Sequence, residues 1–130
     1  MNPTTNNIKI IKTFYLNGQI SEEYSTIDGI KHGYYKSWYA NGSIASEKNY
    51  FNGKKVGFCA QWTPDGQLGQ IYHYENDQMV GDYIQFDEEN GLISSHYSFN
   101  DKGHIHGPDR RYYDGKLVMV TNYDDGIYKQ

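Results

Sequence analysis

Two histidines on alternate residues are the first side chains whose type and spacing could support chemistry. His104 and His106 would lie on one face of a strand, where two imidazoles can bind the same metal ion. No third ligand stands near them at a convincing spacing, and no cysteine joins them. His106 also falls on a recurring position that holds His32 and Val56 elsewhere in the chain. We therefore expect no metal site.

The only cysteine and a pair of adjacent carboxylates are the other candidates for catalysis. Cys59 could be a nucleophile if His73 or His96 activated it, and Glu88 with Glu89 could do acid–base work. Cys59, however, occupies a position where neighbouring stretches carry tyrosine, and the two glutamates precede a turn glycine, where charge is normally solvated. No phosphate-binding glycine motif occurs. We therefore predict that the protein is not an enzyme and holds no cofactor.

The elements that would position these residues come from an internal repeat. One set of glycines recurs at spacings of 24, 24, 25 and 24 residues: Gly18, Gly42, Gly66, Gly91 and Gly115. A second set recurs at spacings of 24, 24 and 26 residues: Gly33, Gly57, Gly81 and Gly107. Asn or Asp precedes every glycine of the first set, and this dipeptide between alternating segments predicts a β-hairpin with a tight type I′ turn.

The residues after each glycine follow the period of a β-strand. An aliphatic residue stands two positions after the first glycine in all five copies, at Ile20, Ile44, Leu68, Ile93 and Leu117. Aromatic residues recur at further even offsets, so that they share a face with it. Five residues after the second glycine stand Trp38, Trp62, Phe86 and Tyr112. Each copy therefore predicts two short antiparallel strands.

One such pair of strands is marginal in water by itself, whereas neighbouring copies stabilise each other in a stacked array. The sequence thus predicts an all-β fold: one elongated, twisted antiparallel sheet of successive hairpins with about four and a half copies. We place an N-terminal segment or capping strand at 1–13 and the repeat domain at 14–130. The copies run approximately over 15–38, 39–62, 63–87, 88–111 and 112–130.

Composition and charge limit the class of protein and partner. A single cysteine allows no disulfide within the chain, and the sequence contains neither a long apolar run nor the apolar stretch of a signal peptide, so we expect a soluble, cytoplasmic protein. Residues 1–55 carry a net charge of +3, from seven Lys and four acidic residues. Residues 56–101 carry eight acidic residues and no Lys or Arg. This acidic third argues against a nucleic-acid partner, which requires basic patches.

These residues resemble MORN repeats, in particular the bacterial-style variant with a period of 22–24 residues. The likeness spans about residues 14–126 and rests on the Y-x-N-G-x-I turn, the link Y-F-N-G-K-K-V-G at Tyr50–Gly57 and W-Y-x-N-G at Trp38–Gly42. Asp77 departs from it, since Gly29 and Gly53 stand there in the first two copies. The resemblance implies a sheet of successive hairpins used for binding or scaffolding, and some variant-repeat members resemble antitoxin or immunity proteins.

We therefore predict a non-catalytic protein-binding module, with an antitoxin- or immunity-like inhibitor of a basic partner protein as its concrete form. Exposed tyrosine and tryptophan supply rigid contact area, and acidic side chains steer a basic partner. The predicted partner-binding residues are Asp77, Asp82, Asp87, Glu88, Glu89, Trp62 and Tyr83. Two alternatives remain open at this point: a membrane-associated scaffold that binds anionic phospholipid through the basic N-terminal repeats, and a module that self-associates through its edge hairpins.

Overall fold

The structure, a computed structural model, describes residues 7–130, and within them every regular element is a β-strand. The first six strands are β1 (Ile8–Phe14), β2 (Ile20–Ile27), β3 (Ile30–Trp38), β4 (Ile44–Phe51), β5 (Lys54–Lys55) and β6 (Gly57–Trp62). The other seven are β7 (Leu68–Glu75), β8 (Gln78–Met79), β9 (Gly81–Phe86), β10 (Ile93–Phe99), β11 (Gly107–Tyr113), β12 (Lys116–Asp124) and β13 (Ile127–Lys129). Of the N-terminal segment predicted at 1–13, residues 1–6 lie outside the described residues.

All thirteen strands of the described residues belong to one open antiparallel sheet. Its order is β1-β2-β3-β4-β6-β7-β9-β10-β11-β12-β13, while β5 pairs with β4 and β8 pairs with β7. Neighbours in the sheet are almost always neighbours in the sequence, as in a series of hairpins. The predicted all-β architecture of successive antiparallel hairpins is confirmed.

Cross-strand pairs assign the side chains to two faces of the sheet. Tyr24 opposes Tyr35 and Tyr83 opposes Tyr97, and these residues define what we name the ladder face. Glu23 opposes Lys36 on the other side, which we name the opposite face. Directly opposed residues lie about 5 Å apart in antiparallel sheets, so that side chains of the same offset touch from copy to copy.

Tyrosine rings stack along the middle of the ladder face. The ring centroids of Tyr72 and Tyr83 are 5.7 Å apart, those of Tyr83 and Tyr97 are 5.0 Å apart, and both pairs are stacked. Tyr24 and Tyr35 stack in the same way at 5.7 Å. The predicted aromatic stack is therefore present, and it includes the second-strand residues Tyr35 and Tyr83 as well as the first-strand ones. Such pairs contribute about 1 kcal/mol each beyond the area that they bury.

The sheet is a single layer, so that few side chains are fully shielded from water. Among the described apolar residues, only Cys59, Ala60 and Tyr72 count as buried, and all three lie in the central strands β6 and β7. Cys59 opposes Tyr72 across these two strands. The best-protected part of the fold is therefore its middle, where each strand has neighbours on both sides.

The turns of the sheet are of two types, which corrects the predicted turn type. Both central residues have positive φ in Asp28-Gly29, Asn52-Gly53, Asn76-Asp77, Asp114-Gly115 and Asp125-Gly126, as a type I′ turn requires. At Asn17-Gly18 only the glycine has positive φ, and the same holds at the Asn-Gly or Asp-Gly of the next three copies. These four turns are longer, and the prediction of type I′ turns there is wrong; Asp114-Gly115 alone of the predicted five is of that type.

Side chains explain why asparagine recurs at the longer turns. Asn17 Oδ1 accepts a hydrogen bond from Gln19 N at 2.9 Å, which closes its own turn. Asn17 Nδ2 donates to Ala40 O in the next copy at 3.0 Å, and Tyr15 Oη donates to Trp38 O at 2.6 Å. The turn sequence is thus set partly by contacts between copies, which a reading of one copy by itself does not reveal.

Asp125 ties the last type I′ turn to the longer turn at 100–104, and this contact makes stability depend on pH. Its Oδ1 accepts hydrogen bonds from Asn100 Nδ2 at 2.8 Å and His104 Nδ1 at 2.9 Å, and Lys102 Nζ lies 3.1 Å from Oδ2. These contacts, the bond from Asn100 first, hold the pKa of Asp125 well below its ordinary value.

A carboxylate whose pKa is lowered by folding stabilises the folded state above its unfolded pKa and loses that contribution as the pH falls further. We therefore expect Asp125→Asn to lose less stability than the wild type below pH 3.8, the ordinary value for this group. Urea denaturation at neutral and acidic pH measures this difference. Equal losses in the two proteins would show that Asp125 does not couple folding to pH.

Candidate interaction surface

A polar groove of about 430 Å³ opens on the ladder face, towards the edge with the longer turns. Its floor is a line of hydroxyl and amide side chains from five successive strands, which we name the polar row: Ser37, Ser46, Gln61, Gln70 and Gln85. Glu88 adds a carboxylate to the lining. Trp62 and Phe86 also line the groove, but strand alternation from Gln61 and Gln85 directs their rings to the opposite face. The groove thus combines hydrogen-bonding groups and negative charge.

The position of the polar row follows from the register between the copies of the repeat. Ser46 opposes Gln61 and Gln70 opposes Gln85, in the same register one copy apart, so that equivalent positions form one line across the sheet. Hydrogen bonds orient the members of this line. Ser37 Oγ and Ser46 Oγ are 2.6 Å apart, and Gln70 Nε2 donates to Gln61 Oε1 at 2.8 Å.

The ladder supports the polar row from the neighbouring positions of the same strands. Tyr83 Oη donates to Gln70 Oε1, and Ser95 Oγ donates to Gln85 Oε1 at 3.2 Å. These bonds occupy the amide oxygens of the row. Among the hydrogen bonds of residues 7–130, the Nε2 groups of Gln61 and Gln85 donate none, so that both can donate to an incoming carbonyl group.

The acidic turn, which we define as Asp87–Glu89, stands at one end of the groove. Asp87 Oδ1 accepts hydrogen bonds from Glu89 N at 2.8 Å and Asn90 N at 3.2 Å, so that its side chain holds the turn in shape. Glu88 and Glu89 are exposed. Their carboxylates are therefore the charges of this turn that a partner can reach.

The other two predicted acidic residues lie elsewhere. Asp82 is on the opposite face, where it accepts hydrogen bonds from Ser98 Oγ at 2.8 Å and contacts His96 Nε2 at 2.9 Å. The hydrogen bond with His96, followed by that of Ser98, lowers the pKa of Asp82. Asp77 is in a type I′ turn at the other edge, where its Oδ1 accepts a hydrogen bond from Lys55 N at 2.8 Å.

The seven predicted residues therefore do not form one patch. Trp62 and Glu88 line the groove, and Tyr83 bonds to Gln70 in its floor. Asp87 and Glu89 line a neighbouring depression, and Asp77 and Asp82 lie apart from both. The sequence analysis missed the polar row entirely. Its signal was a Ser or Gln four residues after a turn glycine in successive copies, which also fits an ordinary solvated strand face.

The residues considered for catalysis are also separated. Cys59 is fully buried on the ladder face, and burial raises the pKa of its thiol. His73 opposes Phe58 and His96 opposes Ile84, both on the opposite face. The sheet thus stands between the thiol and these two imidazoles.

The candidate metal ligands lie at the turn of Asp125. His104 Nδ1 bonds to the carboxylate of Asp125, and His106 Nδ1 accepts a hydrogen bond from Asp125 N at 3.1 Å. Across residues 7–130, no three or more His, Cys, Asp or Glu side chains come together in a way that could hold a metal ion.

Basic residues occupy the ladder face at the N-terminal end of the sheet. Lys31 Nζ lies 5.0 Å from the ring centroid of Tyr24, 5.1 Å from that of Tyr35 and 5.2 Å from that of Tyr50. Lys48 Nζ lies 5.4 Å from the ring of Tyr35, and burial lowers its pKa. The ladder face therefore carries positive charge beside the first copies and negative charge beside the groove.

Comparison with known families agrees with this architecture. Residues 31–52 match the family model of the MORN repeat variant. They span β3 except for its first residue, the following turn and the whole of β4. The chain contains a MORN repeat variant. The same hairpin geometry continues through the other copies of the repeat, beyond the matched residues. No curated protein and no solved structure matches the chain. Among residues 7–130 we find no helix of the length and apolar character needed to span a bilayer.

Proposed function

We propose that the protein is a non-catalytic, cytoplasmic MORN-type module that binds a basic segment of a partner protein in its polar groove. The observation that carries this proposal is the groove itself, which joins the polar row to Glu88 of the acidic turn. A repeat-based binding module is what the matched family indicates. The groove adds the chemistry of the segment that it would take.

Two features of the groove suit an extended peptide that contains Arg or Lys. The free Nε2 groups of Gln61 and Gln85 can donate hydrogen bonds to peptide carbonyl groups. Glu88 and Glu89 can pair with the basic side chain, and their charge also accelerates the encounter.

The finer form of the proposal is an antitoxin- or immunity-like inhibitor. A partner that acts on nucleic acid carries a basic surface, because it must neutralise phosphate groups. A module that occupies such a surface with acidic side chains would block access of the nucleic acid. Asp87, Glu88 and Glu89, within the acidic third of the sequence, supply this charge.

Selection of binding peptides tests the proposal without a known partner. We expect peptides selected from a random displayed library on the immobilised protein to be enriched in Arg and Lys. Glu88→Gln combined with Glu89→Gln should weaken binding of a selected peptide about ten-fold at low salt and flatten its salt dependence, because two charge contacts are lost. Fluorescence anisotropy at several salt concentrations measures both effects.

The matched control removes the same charge from the opposite edge. Glu75→Gln with Asp101→Asn changes two exposed acidic residues that are far from the groove, and we expect it to leave peptide binding unchanged. Equal weakening by both double variants would show only an effect of net charge and would contradict the groove as the site. Binding to anionic phospholipid vesicles, with no peptide selected, would instead support the scaffold alternative.

A further inference from the structure

The two outermost long strands of the sheet have one open side each within residues 7–130. β1 pairs only with β2. β12 pairs with β11 along its length, but on its other side β13 covers only Asn122–Asp124. The segment 116–121 of β12 therefore presents backbone groups that no described strand satisfies, which is the usual template for pairing with another chain.

The repeat shows what normally occupies this open segment. β5 holds the same position beside β4 that β13 holds beside β12, since each follows a type I′ turn. Beside β5, strand β6 pairs with β4 at Ser46 and Glu47. Gly115 stands 73 positions after Gly42. At the same distance from Ser46 and Glu47, the corresponding residues of β12 are Met119 and Val120. The open segment of β12 is thus the docking site for a second strand of the repeat.

β1 is a second strand of the repeat. Phe14 and Tyr15 stand 24 positions before Trp38 and Tyr39, so that β1 corresponds to β3. The same pairing joins first and second strands in every described copy: Glu22 with Ser37, Ser46 with Gln61, Gln70 with Gln85 and Ser95 with Arg111. One molecule therefore presents a first strand at one edge and a second strand at the other.

We propose that β12 of one molecule pairs with β1 of a second copy of this chain, so that the sheet continues from molecule to molecule. The repeat register fixes the contact. Met119 would oppose Thr13 of the other copy, Val120 would oppose Lys12, and Thr121 would oppose Ile11. These pairs are the observed pairs between β2 and β3, transferred by the repeat spacing to the equivalent residues of β12 and β1. They keep the ladder faces of the two molecules on the same side.

The exposed side chains at the two edges favour this occupant. Val118 is 63% exposed and Val120 is 46% exposed on β12, while Ile10 is 58% exposed and Phe14 is 61% exposed on β1. Strand alternation places Val120, Ile10 and Phe14 on the opposite face, where pairing of the two edges joins them into one apolar patch. Val118 stands at the bulge of β12, where the alternation is interrupted. Met119 is exposed as well, although its counterpart Ser46 inside the sheet is buried.

The lysine at the centre of β1 is compatible with this pairing. Lysines on edge strands commonly prevent association between molecules. Lys36 occupies the corresponding position in β3, however, and it lies in a fully paired strand between Glu23 and Glu47. Lys12 likewise lies beside Glu23, with its Nζ 3.7 Å from Oε1.

Such a contact joins unlike surfaces, so that it does not close on itself and produces open chains of molecules. We expect the mass measured by analytical ultracentrifugation to rise with concentration, from the 15.1 kDa of one chain to at least twice that value. A mass that stays at 15.1 kDa up to near-millimolar concentration would overturn the proposal. The prediction does not depend on the polar groove, since Glu88→Gln with Glu89→Gln should assemble as the wild type does.

Two blocked variants distinguish this contact from other forms of self-association. Val118→Lys with Val120→Lys blocks the β12 edge, and Ile10→Lys with Phe14→Lys blocks the β1 edge. Each variant alone should remain a monomer, whereas a mixture of the two should form a one-to-one dimer through the intact edges, with circular dichroism confirming that both are folded. Dimers of either blocked variant alone would overturn the proposal, because they would require contact between like edges.

Disulfide trapping tests the register without charged substitutions. In a background with Cys59→Ala, a mixture of Lys12→Cys and Val120→Cys should give a cross-linked dimer on mild oxidation, since the two residues would be directly opposed. The control pair Lys9→Cys and Val120→Cys lies out of register and should cross-link at least ten-fold more slowly. Equal rates for the two mixtures would overturn the register.

Discussion

Replacement of Tyr72 by alanine should lower the free energy of unfolding by about 3 to 5 kcal/mol, the usual cost of removing a buried aromatic side chain. Tyr72 is only 6% exposed in a sheet that buries few side chains. Its ring stacks on Tyr83, meets Tyr74 edge-on at 5.7 Å and lies opposite Cys59. The lost contacts therefore lie at the best-protected point of the fold. Urea denaturation monitored by circular dichroism measures the effect.

Tyr113→Ala is the matched control, because the same side chain is removed from a site that is 76% exposed. We expect this variant to change the free energy of unfolding by less than about 0.5 kcal/mol. A comparable loss at both positions would mean that tyrosine stabilises the sheet through its strand propensity rather than through the stacked ladder. Tyr72→Phe should retain most of the stability, since it keeps the stacked ring.

Replacement of Arg111 by glutamine should lower the free energy of unfolding by about 3 kcal/mol, because it leaves a buried carboxylate without its partner. Asp109 is buried on β11, two residues before Arg111 on the same face. Arg111 Nε lies 2.9 Å from Asp109 Oδ1, and Nη2 donates to Oδ2 at 2.9 Å. The guanidinium group also lies 5.5 Å from the ring centroid of Tyr97. The same denaturation experiment measures the loss.

A double-mutant cycle separates the ion pair from the packing of the arginine. Asp109→Asn removes the buried charge, so that adding it to Arg111→Gln should restore most of the lost stability. If the double variant is as unstable as the sum of the two single variants, the pair is not coupled. The loss at Arg111 would then come from its contact with Tyr97.

The sequence was sufficient to predict the sheet because two signals agreed in every copy. The glycine spacing marked the hairpins, and the alternation after Ile20 and Ile44 marked the strands. Since each strand pairs with its neighbours in the sequence, the topology followed without long-range information. β1 was recognised only as a capping segment, although Phe14 keeps the repeat spacing to Trp38.

The turn types could not be predicted from the dipeptide alone. Asn17-Gly18 and Asn52-Gly53 have the same sequence, but only the second is a type I′ turn. The difference lies between copies, since Asn17 is held by Ala40 O in the next turn. A turn preference that is based on the four residues of one turn does not include a contact with the next turn.

The candidate site was only partly predictable for a similar reason. Trp62 and Glu88 stood out by residue type, and the structure places both at the groove. Asp82 stood out equally as a charge, yet its strand position directs it to the opposite face, where it bonds to His96. The polar row was missed because Gln61 and Gln70 become neighbours only in the folded sheet.

Nuclear magnetic resonance of the isotope-labelled protein, titrated with a selected basic peptide, tests the proposed function most directly. The side-chain amide signals of Gln61 and Gln85 are separate probes of the groove. We expect these two signals to shift most, with the backbone signals of Glu88 and Glu89 following at the same peptide concentrations. Shifts confined to the opposite face, for example at Phe58 and His73, would contradict the groove as the binding site.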